Sequence, residues 1–164
     1  MTWKTLTADQ IEVGASLPEL RHDCRALTIV LGAMAARDWR PQHHDYRFAT
    51  ENNGVRDIFM NTPNLAAWFE RYLTDWTGPY GRIGWIRFRM QDSVFPGDEM
   101  VFRGEVKGVE TDDTGCAWVE VDLVLTSGGR TTTVCTARVA VPAREGDNPW
   151  KRKGDDWKPR PAAA

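Results

Sequence analysis

An aspartate and a histidine five positions apart, Asp38 and His43, sit in the run Arg-Asp-Trp-Arg-Pro-Gln-His-His-Asp at positions 37–45. Pro41 fixes its own φ and turns Arg40 away from helix, so a helix arriving from the N-terminal side ends here and the chain bends. Such a bend can bring the two side chains together. An ionised carboxylate beside an imidazole is a general acid/base pair: the carboxylate holds the ring or shares a water with it, and the ring titrates near working pH. The same two residues also suit a helix end and a solvated ring, so the surrounding elements must decide. His44 and Asp45 extend the cluster. However, His-His-Asp within one loop lacks the convergent spacing of familiar zinc sites, and no metal is expected.

The elements that would position this pair are legible on both sides. From Arg25 to Arg37 the apolar residues Leu27, Val30, Leu31 and Met34 share one helical face, and that helix delivers Asp38 at its C-terminal end. A carboxylate gains nothing from the helix dipole there, which argues against a purely stabilising role. After a polar loop from Tyr46 to Asp57, Asn61-Thr62-Pro63 is a helix start with a capping side chain and a proline suited to the first turn. Leu65, Trp68, Phe69, Tyr72, Leu73 and Trp76 then form a wide apolar stripe, and Thr77-Gly78-Pro79 ends it. This predicts a long helix buried against a sheet.

Beyond Arg82 the period changes to two. Strands are predicted from Arg82 to Gln91, Met100 to Glu110, Ala117 to Leu125 and Thr131 to Val141, with turns at Phe95-Pro96-Gly97-Asp98, Asp112-Asp113-Thr114-Gly115 and Ser127-Gly128-Gly129. Leu17 to Cys24 is a possible edge segment, since Pro18 lacks a ladder donor. The economical arrangement is an α+β domain, an antiparallel sheet curled around the long helix, over residues 1–142. Residues 143–164 read as a charged C-terminal tail containing proline and tryptophan, and the favoured reading is a solvated terminus. The other reading of its Lys151-Arg152-Lys153 and Lys158-Pro159-Arg160 runs is an arm touching phosphate groups or a partner subunit.

Composition narrows the function classes. The 164 residues suit one domain, and 21 basic against 23 acidic residues offer no general pull towards nucleic acid or an acidic membrane. Three cysteines without metal-ligand spacing are expected as reduced packing residues, which favours the cytoplasm. No signal peptide or membrane span is expected. Eight tryptophans can fill a core or line a site for a large apolar ligand, with core filling the default.

Two helices, the second long and aromatic, followed by four strands and a Pro-Gly-Asp turn resemble the hot-dog fold. The Asp38/His43 spacing, Phe95-Pro96-Gly97-Asp98 and Asp57-Ile58-Phe59-Met60-Asn61 are similar to the signatures of MaoC-like (R)-specific enoyl-CoA hydratases. Arg37-Asp38 with His43-His44-Asp45, and Tyr72-Leu73-Thr74-Asp75-Trp76 with Gly78-Pro79, resemble the small subunits of actinobacterial steroid side-chain hydratases. The resemblance covers about residues 15 to 142. It implies that Asp38 and His43 hold and activate the water added to a trans-2-enoyl thioester, one of them supplying the α-proton. It also implies that the backbone N–H of Asn61 bonds the thioester oxygen, a role suited to a helix N-terminus, without need of the Asn61 side chain.

The chain departs from the family pattern at Arg37, where glycine is usual, at Arg40, where asparagine is common, at Gln42, where an aliphatic residue is usual, and at Asn61, commonly glycine. Arg37 or Arg40 can pair with Asp38 and keep it ionised. Asp45 is expected to play a supporting or structural part. The function implied is reversible hydration of an enoyl-CoA, with a bulky steroid-type acyl group preferred. It needs no metal or organic cofactor, CoA being part of the substrate, and the chain is expected as a homodimer or as a heteromer with a related hot-dog subunit. The alternatives are a supporting subunit that has lost its own chemistry and a hot-dog thioesterase; both share the fold.

Overall fold

A computed structural model describes residues 5–160; the first four and last four positions of the expected domain and tail lie outside the described residues. Five antiparallel strands form one sheet: β1 (Leu20–Asp23), β2 (Arg82–Met90), β3 (Glu99–Thr111), β4 (Ala117–Ser127) and β5 (Arg130–Val141), in the order β1-β3-β4-β5-β2. The helices are α1 (Ala26–Ala35), α2 (Tyr46–Glu51) and α3 (Thr62–Thr77). All four predicted strands are present within a few residues of their expected ends, and the Leu17–Cys24 segment contributes β1 at the sheet edge, paired with β3. The β4–β5 turn has Gly128 and Gly129 at φ 56° and 77°, as a two-residue turn with both φ positive requires.

The core lies between α3 and the inner face of the sheet. Leu65, Phe69, Tyr72 and Leu73 of α3 are buried against Phe102, Val106, Val119, Val121, Leu123 and Leu125, as the stripe predicts. Alternation on β4 places Val119, Val121, Leu123 and Leu125 on that face. The rings of Phe69, Tyr72 and Trp68 surround Phe102 at centroid distances of 5.2, 5.8 and 6.2 Å. Cys24, Cys116 and Cys135 are buried free thiols, each pushed up by burial, to about 12, 11 and 12 respectively.

The apolar face of the first helix is not its most buried face. Leu27, Leu31 and Met34 point to solvent, about half exposed, while Ile29 and Ala33 face the core. The reason is the crossing with α3. A Cβ added at Gly32 would lie 2.0 Å from Asn64 Nδ2, and that side chain donates to the Thr28 carbonyl at 3.1 Å, so the contact face must be small. The larger residues are thereby turned outward.

The C-terminal segment also differs from a solvated terminus. Trp157 packs on Trp118 of the outer sheet face at 4.8 Å, and the Arg82 guanidinium stacks on Trp157 at 3.6 Å. Arg82 donates to the Pro149 and Arg152 carbonyls, while Arg152 donates to those of Thr114 and Gly115. Lys158 pairs with Asp113. A burial pattern of one face misses this layer, because cation–π and backbone contacts rather than an apolar stripe hold it.

Under that layer lies Asp112. Burial pushes its carboxyl up, but the Thr114 hydroxyl, the Trp118 indole N–H and the backbone N–H groups of Cys116 and Thr114 all donate to it, and they prevail, holding it at about 2. A folded-state pKa below the unfolded one gives stability that is complete above the ordinary carboxylate value and lost as pH falls through the folded value. The urea midpoint should therefore drop between about pH 4 and about pH 2. Asp112→Asn should flatten that drop; an equal drop in the variant would show that other carboxylates carry it.

Candidate functional site

Helix α1 ends in a Schellman cap, and the cap places Asp38. The Arg37 N–H donates to the Met34 carbonyl at 3.0 Å and the Asp38 N–H to that of Ala33 at 2.9 Å. The position between needs a left-handed backbone, and Arg37 takes it at φ 54°, the one positive φ at a non-glycine among the described residues. This is where the family pattern has glycine. An L-residue there carries a steric cost that glycine avoids, partly offset by glycine's greater unfolded freedom. Arg37→Gly is expected to stabilise the fold by about 0.5–1 kcal/mol in urea unfolding. A lower midpoint would mean that the Arg37 side chain makes a compensating contact.

The chain then turns through Pro41 into a single 3₁₀ turn, Pro41–His43, which carries the imidazole inward. His43 is 4% exposed and Asp38 20%, and His43 Nε2 lies 3.4 Å from Asp38 Oδ2. The pair expected from the sequence is therefore brought together, buried at the ring and open to solvent at the carboxylate. His43 Nδ1 lies 2.7 Å from the Phe59 carbonyl. A carbonyl only accepts, so Nδ1 carries a proton, and Nε2 is the ring nitrogen that faces Asp38. At 3.4 Å the two can both address a single water placed beside them. The Phe59 ring meets the His43 ring edge-on at 5.1 Å, and nothing in sequence spacing marks the carbonyl that orients it.

Asn61 is the third member, 2% exposed at the cap of α3. Its Oδ1 accepts from the Asn64 N–H at 3.3 Å, and its Nδ2 donates to Asp38 Oδ2 at 3.1 Å. The side chain, which the resemblance left without a part, thus touches the aspartate directly. Pro63 has no N–H and that of Asn64 is taken, so the N–H groups of Asn61 and Thr62 are left without an acceptor among the described residues. A helix N-terminus with free amides can receive an oxygen on which negative charge develops.

The electrostatics favour an ionised Asp38. Its carboxyl is held below the ordinary value, first by the Asn61 hydrogen bond, with burial opposing and the Arg40 N–H, His43 and the Arg40 charge adding to it. Of the two arginines expected to act here, Arg40 contributes its backbone N–H at 3.4 Å and an exposed guanidinium at 4.0 Å. His44 points outward towards the Trp39 carbonyl, and Asp45 Oδ1 caps α2 through the Phe48 N–H at 3.1 Å, a structural part.

No family model matches the chain. The beta subunit of the 3-oxo-4,17-pregnadiene-20-carboxyl-CoA hydratase of Mycobacterium tuberculosis is 39% identical over 97 residues, covering 59% of this chain and 74% of that protein. In the crystal structure of the ChsH1–ChsH2 complex from the same organism, one chain superposes with a TM-score of 0.72 at 32% identity, covering 79% of this chain and 98% of its own. The MaoC-like dehydratase of Rhodospirillum rubrum shares the fold, with a TM-score of 0.74 at 21% identity, covering 85% of this chain and 98% of that one. With its single antiparallel sheet packed on α3, and with a hydratase subunit as a relative over most of that subunit's length, the chain belongs to the MaoC-like hydratases of the hot-dog fold.

Proposed function

We propose that this chain hydrates a trans-2-enoyl-CoA reversibly, with Asp38 and His43 as the acid/base pair and the Asn61 N–H as the oxyanion donor. One observation carries the reading: an imidazole nitrogen and a carboxylate oxygen 3.4 Å apart, next to the amide-rich start of α3. Asp38 accepts a hydrogen bond from the water and His43 Nε2 takes its proton as the water oxygen bonds to the β-carbon. The alkene electron pair moves towards the thioester oxygen, which the Asn61 N–H receives. His43 then returns a proton to the α-carbon. One water is added and the carbon–sulfur bond stays intact. Asp38 stabilises the imidazolium between the two transfers.

The substrate we assign is a bulky, steroid-type acyl-CoA, and the working form a heteromer with a related hot-dog subunit. The relative's name and the ChsH1–ChsH2 complex support both. So does the surface. Leu27, Leu31, Met34, Trp39 and Tyr46 form an exposed apolar group on the elements flanking the site, and the outer edge of β2 pairs with no strand among the described residues. The same features suit a subunit that supports a catalytic partner.

The test follows the enoyl-thioester absorbance with a short-chain and a bulky trans-2-enoyl-CoA, using the chain alone and then with the related subunit. Turnover that needs both chains and prefers the bulky substrate is expected. Turnover that persists when His43→Ala is assembled with the partner would assign the chemistry to the other chain.

A further inference from the structure

The Asn61 carboxamide has a fixed sense. The first turn of α3 needs an acceptor for the Asn64 N–H, and Asn61 Oδ1 supplies it at 3.3 Å, which aims the NH₂ group the other way. In that direction lies Asp38 Oδ2, 3.1 Å from Nδ2. The reverse assignment would set a carbonyl oxygen against a carboxylate and an N–H against an N–H. Asn64 is itself pinned, its Nδ2 donating to the Thr28 carbonyl of α1 at 3.1 Å, so both asparagines at the start of α3 are held, one to α1 and one to the aspartate. Asn61 is 2% exposed, and a buried amide held from both ends has one rotamer to occupy.

We propose that this side chain is a positioning group of the acid/base site: Nδ2–H holds Asp38 Oδ2 beside His43 Nε2, so that Asp38 acts as a fixed acceptor for the water and never as the proton donor. This rests on the hydratase reading above. The clamp and the imidazole address the same carboxylate oxygen, at 3.1 and 3.4 Å, while Oδ1 takes the Arg40 N–H at 3.4 Å with the Arg40 guanidinium at 4.0 Å. On the Asn61 side a proton on Oδ2 would meet a group that can only donate. The two hydrogen-bond donors on Asp38, the Asn61 amide and the Arg40 N–H, therefore favour the carboxylate, and the lowered carboxyl pKa, with Asn61 as its first cause, agrees. Proton transfer is left to His43.

Two variants separate the clamp from the helix cap. Asn61→Ser keeps a capping oxygen but has no donor long enough to reach Asp38; Asn61→Asp keeps the cap and the shape but sets a second carboxylate against the first. Carbon-13 NMR titration of the Asp38 carboxyl and hydration kinetics are measured on the assembled protein. In Asn61→Ser the Asp38 midpoint should rise and kcat should fall about 10-fold or more with KM little changed. In Asn61→Asp the lower of the two carboxyl midpoints should stay acidic, the other should rise further, and kcat should fall more. If Asp38→Asn abolishes turnover while Asn61→Ser alters neither the midpoint nor kcat, the positioning role is overturned and the hydratase reading stands. Turnover that survives Asp38→Asn overturns both. Because the titration needs no turnover, an unmoved midpoint rejects the clamp even for an inactive protein.

Discussion

His43→Ala is expected to lower the hydration rate by about 10²–10⁴-fold, and Asp38→Asn to do the same, with circular dichroism unchanged. The two act as a unit, so the double variant should be little worse than either single one. In the proposed mechanism His43 takes and returns a proton, and its orientation depends on the Phe59 carbonyl at 2.7 Å. Alanine also leaves that carbonyl without its donor, at a stability cost of about 1–3 kcal/mol. His43→Asn controls for this, since an amide N–H can replace the donation to Phe59 without supplying a base. It should recover part of the lost stability and none of the lost rate. Rate recovery in His43→Asn would reduce His43 to a structural part.

Phe102→Ala is expected to have the largest effect on stability, about 3–5 kcal/mol against the total of about 5–15 kcal/mol usual for a domain. Phe102 is fully buried on β3, between β1 and β4, and touches three aromatic rings of α3. No small movement closes the resulting cavity, because α3 is fixed at its start by Asn61 and Asn64 and along its length by Phe69 against Phe88 at 5.9 Å. Urea unfolding measures the loss. A cost under about 1 kcal/mol would mean that the helix collapses onto the gap. The residual activity of the folded fraction would then show whether the site depends on where α3 begins.

The main architecture was legible because its elements carry their signals locally. The α3 stripe, its Asn-Thr-Pro start, the two-residue alternation of the strands and the Gly128-Gly129 turn each state one preference, and the fold satisfies all of them. The orientation of α1 was not legible. Leu27, Val30, Leu31 and Met34 have the spacing of a core face, but periodicity reports that a face is apolar and not which surface covers it. The close approach of Asn64 to Gly32, a tertiary fact, turned Leu27, Leu31 and Met34 outward.

At the site, spacing pointed to Asp38 and His43 because the Pro41 bend is local. It missed the Phe59 carbonyl, which any residue type supplies, and the bond from Asn61 across 23 positions. It also missed why Arg37 is tolerated where glycine is usual: Arg37 accepts the left-handed backbone, and the Schellman bonds around it are intact. The C-terminal layer escaped because its anchors, Arg82 on Trp157 and Arg152 on the 114–115 carbonyls, look like solvated charge in a linear sequence.

The measurement that bears most directly on hydration at the Asp38/His43 pair is the mass of the product formed from a trans-2-enoyl-CoA by this chain with its related subunit, run beside His43→Ala. A product heavier by one water, with CoA still attached and absent from the His43→Ala reaction, is the predicted result. Release of free CoA thiol with the double bond intact would contradict it, and so would water addition undiminished by His43→Ala.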